Sequence, residues 1–159
     1  MASMQGSIIK FGIRRMNFFG GEQVDPMLLR QRMDRQARRQ PVHRRVQVQP
    51  AEAASVPAEW LLPHVFTPGR ALLYLHGGAW FMGSPASHRG FVSRLVNASG
   101  VPALSIDYRL APEYPFPAAL EDCLSAYEWL LQSGIPAERI VVLGDSAGGN
   151  LTLALLVAL

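Results

Sequence analysis

The sequence predicts an α/β fold, a mostly parallel sheet with helices on both faces. Three observations predict it. Short apolar runs at 71–75, 101–108 and 140–143 alternate with helix-like stretches at 88–99, 117–133 and after Gly148. Glycine-rich turns close two of those runs, His76-Gly77-Gly78-Ala79-Trp80 and Gly144-Asp145-Ser146-Ala147-Gly148-Gly149. The 159 residues are 49% apolar and 17% charged, which suits one globular domain with a sizeable core.

The N-terminal part differs from the rest. Residues 1–45 hold ten basic side chains against three acidic ones, a balance of +7, whereas residues 46–159 balance at −4. A basic arm suits nucleic acid or an anionic membrane surface. No nucleic-acid module and little aromatic interleaving accompany it, so it reads as a solvated basic helix, with no nucleic acid as partner. The first 21 residues lack a sustained apolar stretch, and no apolar run nears the roughly 20 residues that cross a bilayer. The expectation is therefore no secretory signal and no integral membrane segment. The single Cys123 excludes an internal disulfide and fits a cytoplasmic protein. It reads as a small buried hydrophobe on a helix.

Asp25-Pro26 opens a helix as N-cap and first helical residue, and the helix runs over 27–40 until Pro41 ends it. Met27, Leu28, Met33 and Ala37 are its contact positions. Val46-Gln47-Val48-Gln49 alternates like a half-solvated strand, and 51–55 is a small-residue turn. A second strand over 56–65 carries Trp60, with Pro57 and Pro63 confining it to a sheet edge. Residues 71–75 form the first deeply buried strand. The helix over 88–99 has Phe91, Leu95 and Val96 at helical spacing and Gly100 at its C-cap. The strand over 101–108 leads into a loop stiffened by Pro112, Pro115 and Pro117. In the helix over 117–133 the stripe is Leu120, Cys123, Leu124, Tyr127, Leu130 and Leu131, with Glu121, Asp122 and Glu128 facing elsewhere. The strand 140–143 and an apolar helix to Leu159 complete the chain.

The junction at Ser146 carries the chemistry. A strand, Gly-x-Ser-x-Gly and an apolar helix in that order leave the serine hydroxyl exposed at the tip of a sharp turn. Gly144 and Gly148 flank it because a Cβ at either place would crowd the turn. The helix that follows directs its free N–H groups and positive dipole end toward the site. A bystander serine in a glycine-rich connection is the plain alternative. After the 71–75 strand, Gly77 and Gly78 let backbone N–H groups be presented without side chains in the way.

Four motifs, taken together, resemble one family. They are His76-Gly77-Gly78-Ala79-Trp80, Asp107-Tyr108-Arg109-Leu110-Ala111-Pro112-Glu113, Pro115-Phe116-Pro117-Ala118-Ala119 and Gly144-Asp145-Ser146-Ala147-Gly148-Gly149. Their order is similar to that of bacterial hormone-sensitive-lipase-like esterases of the α/β-hydrolase fold. Ala79 departs from a frequent third glycine. The resemblance implies an α/β-hydrolase fold truncated after the elbow helix, with 1–45 a cap-like helical segment and 46–159 the N-terminal half of the core. It implies hydrolysis of short-chain carboxylic esters through an acyl-enzyme at Ser146, with the N–H groups of Gly78, Ala79 and Ala147 as oxyanion hole and Gly77 shaping the loop. No metal and no organic cofactor are implied, and the expected partner is a small-molecule ester. It also assigns Asp107 and Glu113 to fixing the loop after the strand, by pairing with Arg109; Asp145, next to the serine, reads as a brace for the turn.

A serine hydroxyl needs a base, and that base needs an orienting carboxylate. In α/β-hydrolases the acid and the histidine follow the serine in the chain. Thirteen residues follow Ser146, and none is His, Asp or Glu. His76 belongs to the oxyanion loop, and His43, His64 and His88 read as bystanders. The expectation is a chain with very little esterase activity by itself and an unpaired apolar edge at 140–143, which invites aggregation. A non-catalytic small-molecule binder on the same fold and a non-functional fragment are the other readings.

Overall fold

The computed structural model describes residues 25–37 and 39–159. The expectations drawn from residues 1–24, the leader-free start and the first part of the basic arm, lie outside the described residues. Helix α1 spans Pro26–Ala37. The Met27 N–H donates to Asp25 Oδ1 at 2.8 Å, the N-cap bond that the Asp-Pro pair predicts. The helix ends before Gln40 rather than at it.

Among the described residues five strands form one mixed sheet in the order β1-β2-β4-β3-β5. They are β1 (Val46–Ala53), β2 (Val56–Pro63), β3 (Ala71–Leu75), β4 (Ala103–Ile106) and β5 (Ile140–Gly144). Strands β4, β3 and β5 run parallel, while β1–β2 and β2–β4 pair antiparallel. Strand β1 runs four residues further than its alternation suggests, so Ala54 and Ser55 alone make the hairpin turn, at φ 50° and 72°. The edge position assigned to β2 is wrong: β2 pairs on both sides, and β1 is the edge. Pro57 and Pro63 are tolerated because β4 pairs only with Ala58–Leu61, so neither proline has to donate across that ladder.

The helices cover both faces. Helix α2 (Pro85–Ser99) packs Val92 and Val96 against Leu61, Leu72, Tyr74 and Ala103. Helices α3 (Ala118–Gln132) and α4 (Ala147–Ala158) pack Cys123, Ala126, Leu130, Leu151 and Leu155 against Leu73, Leu75, Leu104 and Ile106. Strand β3 therefore sends alternate side chains into two cores, which is why its run is apolar without interruption.

Helix α2 starts three residues before His88, because Ser84 and Ser87 form a reciprocal capping box. It ends at Gly100 in left-handed conformation, as expected. Phe91, assigned to its apolar stripe, is half exposed. On α3 the stripe is shifted: Leu131 is exposed, and Asp122, expected to face outward, is buried. Cys123 is a buried free thiol, and burial pushes its pKa up to about 12. Among the described residues β5 pairs only with β3, leaving Val141 56% exposed, and Leu153, Leu156 and Val157 of α4 also face outward. No helix among the described residues is long and apolar enough to cross a membrane.

Candidate active site

The site begins with a register. Strands β3 and β5 are parallel neighbours, and Leu75 stands opposite Gly144. Their C-terminal ends therefore lie side by side, and the loops that follow them emerge together. Ser146 sits between β5 and α4 at φ 50° and ψ −117°, a conformation rare for a residue with a side chain. It is exposed. The turn is tight enough that a Cβ built on Gly148 would overlap the Leu75 carbonyl oxygen. One on Gly144 would stand 2.5 Å from the same oxygen.

Asp145 joins the two loops. Its Oδ1 accepts from the Tyr74 hydroxyl at 2.7 Å and from the Gly77 N–H at 3.0 Å. Partial burial favours the neutral acid. The hydrogen bonds from Tyr74 and Gly77 and the neighbouring His88 outweigh it, and hold the carboxyl below its usual range. Burial first and Asp145 second push the Tyr74 phenol up. Asp145 thus braces the turn, as its position suggests. A Cβ on Gly77 would overlap the Asp145 carboxylate, so glycine is needed there for close approach.

Gly78 has φ +134°, and its carbonyl accepts from Phe81 N–H at 3.2 Å and Met82 N–H at 3.0 Å. Ala79 and Trp80 follow at φ 52° and 61°. The backbone N–H groups of Gly78, Ala79 and Ala147 enter no hydrogen bond among the described residues. Free backbone N–H groups are the kind of donor that can stabilise an oxyanion forming within their reach.

His76 is fully buried beneath this loop. Its ring stacks on Tyr108 at 4.2 Å, its Nδ1 lies 2.9 Å from the Gly77 carbonyl, and the Tyr108 hydroxyl donates to the His76 carbonyl at 2.6 Å. Burial lowers the His76 pKa from 6.5 to about 4, so the ring is neutral at pH 7. The unfolded chain takes up a proton near pH 6.5 that the folded chain refuses until about pH 4. Stability therefore falls as pH drops through that window, by roughly 3 kcal/mol from this residue. A lower urea midpoint at pH 4 than at pH 7, with the drop reduced in His76→Asn, is the expected result.

His88 lies over the same cluster. Its Nδ1 is 2.8 Å from Ser87 Oγ and its Nε2 is 3.4 Å from Asp145 Oδ1. His43 accepts from the Arg45 N–H, and His64 is exposed. Among the described residues no imidazole hydrogen-bonds to the Ser146 hydroxyl.

The pairing assigned to Arg109 is wrong. Its guanidinium and its backbone N–H bind the buried Asp122, and the side chain also reaches Glu121. Glu113 pairs instead with Arg30 of α1, at 2.8 Å, and the guanidinium holds its carboxyl below the usual range. Tyr74, Tyr108 and Arg30 were missed as parts of the site. The two tyrosines fall at the ends of apolar runs and read as core. Beside the elbow helix lies a cavity of about 350 Å³. Trp80, Tyr114, Phe116, Leu120 and Leu151 are among its apolar lining residues, and Ser146 does not line it.

A sequence profile of the alpha/beta hydrolase fold matches residues 72–159. An acetyl-hydrolase of Streptomyces hygroscopicus is 51% identical over 102 residues, 64% of this chain and 34% of that protein. An esterase/lipase from an uncultured bacterium superposes with a TM-score of 0.83 at 40% identity, over 99% of this chain and 53% of its own. An esterase from the bacterial hormone-sensitive lipase family gives 0.82 at 37%, over 99% and 53%. The chain thus spans about half the length of these solved relatives and matches a smaller share of the curated one. Profile, sequence and superposition agree with the geometry of the elbow and its facing loop: this chain belongs to the α/β-hydrolase fold family, among relatives that are bacterial hormone-sensitive-lipase-like esterases.

Proposed function

We propose that this chain is the nucleophile-bearing part of a serine hydrolase of short-chain carboxylic esters. The observation that carries the reading is Ser146, held exposed at positive φ between β5 and α4, with the Gly77–Gly78–Ala79 loop beside it. Ser146 Oγ would attack the acyl carbon. The N–H groups of Gly78, Ala79 and Ala147 would hold the oxygen as it becomes negative, each contributing roughly a hundred- to a thousandfold. The alcohol would leave, and water would cleave the acyl-serine ester. Base and acid would come from residues outside this sequence, because none after Ser146 can serve. Residues 1–45 would form a cap-like segment over the mouth, and 46–159 the first half of the core. The buried free Cys123 suits a reducing compartment, the cytoplasm.

The test is intact mass after exposure to a fluorophosphonate, with circular dichroism on the same sample. A single adduct that is slow to form and absent in Ser146→Ala is the expected result. A folded sample without adduct, or an adduct that persists in Ser146→Ala, overturns the reading. The apolar cavity beside α4 favours one second reading, a non-catalytic binder of small apolar molecules. Ligand-dependent stabilisation with no adduct is its signature.

A further inference from the structure

Helix α1 reaches the candidate site through one guanidinium. Arg30 is far in sequence from Phe81, Ala111 and Glu113, yet it meets all three, and with Met27 beside it all five of its N–H donors are engaged. Nε donates to the Phe81 carbonyl at 2.7 Å. Nη2 donates to the Ala111 carbonyl at 2.7 Å and to Glu113 Oε2 at 2.8 Å. Nη1 donates to Glu113 Oε1 at 3.0 Å and meets the Met27 sulfur at 3.4 Å.

The two carbonyls belong to a closed ring. The Ala111 N–H donates to the Trp80 carbonyl at 2.9 Å, and Trp80 is joined to Phe81 by the chain. Arg30 closes the remaining gap between Phe81 and Ala111. Trp80 is a member of this ring and Ala79 directly precedes it, two successive non-glycine residues with positive φ. Such backbone persists only where the surroundings over-determine it. The bonds from Phe81 and Met82 to the Gly78 carbonyl fix the shape of the turn. They do not fix its place against the core. One turn along α1, Asp34 accepts from Ser84 Oγ at 2.6 Å, so the same helix holds the far end of the loop.

We propose that Arg30 is a positioning residue for the oxyanion loop. Its guanidinium binds Phe81, Ala111 and Glu113 into one clamp, which keeps Ala79 and Trp80 in left-handed backbone and aims the Gly78 and Ala79 N–H groups at Ser146. The catalytic meaning of the clamp rests on the reading of those N–H groups as oxyanion donors. Lysine replaces it only in part, since one ammonium nitrogen lacks the planar fork that here spans two carbonyls and both oxygens of a carboxylate.

Amide hydrogen exchange of the full chain tests the clamp without requiring activity. In Arg30→Ala, exchange over 77–84 is expected to rise roughly tenfold or more, with the β1–β2 hairpin and α3 unchanged as internal references. Methylguanidinium added to Arg30→Ala restores protection, and Arg30→Lys falls between the two. Unchanged exchange over 77–84 overturns the proposal. So does a uniform rise along the whole chain that methylguanidinium does not reverse, because Arg30 would then hold the fold rather than the loop. Fluorophosphonate labelling of Ser146, read on the same variants, slows in step with the loss of protection. If the parent chain takes no label, the hydrolase reading fails, while the exchange data still decide the clamp.

Discussion

Ester turnover by this chain alone is expected to run about a millionfold below that of a complete serine–histidine–acid site, about 8 kcal/mol of barrier. On the proposed reading Ser146 is the nucleophile and the N–H groups of Gly78, Ala79 and Ala147 are its oxyanion donors, and these are not enough. Each oxyanion donor contributes roughly two to three orders of magnitude, and none lowers the cost of removing the serine proton. The neighbouring imidazoles are committed elsewhere. His76 is buried, neutral and stacked beneath the loop, and His88 lies against Ser87 and Asp145. Hydrolysis of p-nitrophenyl acetate by the chain and by Ser146→Ala should therefore coincide, at no more than roughly 10³–10⁴-fold above the uncatalysed rate, the residual acceleration that oxyanion donors and binding supply without a base. Turnover well above that level and lost in Ser146→Ala would mean that one of these imidazoles, or an unsuspected group, reaches the hydroxyl.

Gly148→Ala is expected to lower stability by about 3 kcal/mol or more, read as a fall in the urea midpoint. The added methyl would overlap the Leu75 carbonyl oxygen and stand 2.7 Å from that of His76. Both are backbone atoms at the end of β3. Strand β3 is held between β4 and β5 and cannot retreat without breaking a ladder. Its neighbour supplies the control. A Cβ on Gly149 meets nothing nearer than the Gly144 carbonyl at 3.3 Å. The gain in helix propensity, up to about 1 kcal/mol, opposes that tight contact, and Gly149→Ala should move the midpoint little. Equal effects at the two positions would show that the elbow does not approach β3 this closely.

What was legible in the sequence was local. Apolar runs bounded by glycine located β3, β4, β5 and the elbow. Gly100 marked the end of α2, and Asp25-Pro26 marked the start of α1. Contacts between distant residues were hidden. The family resemblance suggested that Arg109 pairs with Asp107 and Glu113, but the fold places Asp122 under Arg109 and brings Arg30 across to Glu113, 83 residues away. No periodicity encodes such a meeting. Asp122 looked solvated because a carboxylate in an amphipathic helix usually is, and only a partner from another element makes its burial tolerable. Strand β2 looked like an edge because of its prolines. The short overlap with β4, which spares both, depends on register.

The pairing of β3 with β5 also imposes an order of assembly. The β1–β2 hairpin closes through two residues, so it can form as soon as its strands exist. Leu75 must wait for Gly144, with α2, β4 and α3 between them, and a loop of that length closes late. A chain synthesised from its N-terminus therefore acquires its hairpin long before it acquires a site, and both halves of the site arise together when β5 docks. Pulse-labelled hydrogen exchange during refolding should show hairpin amides protected before those of β3. Simultaneous protection would mean that the sheet forms in one concerted step, and that the serine and the loop facing it owe their meeting to the whole sheet rather than to the last strand.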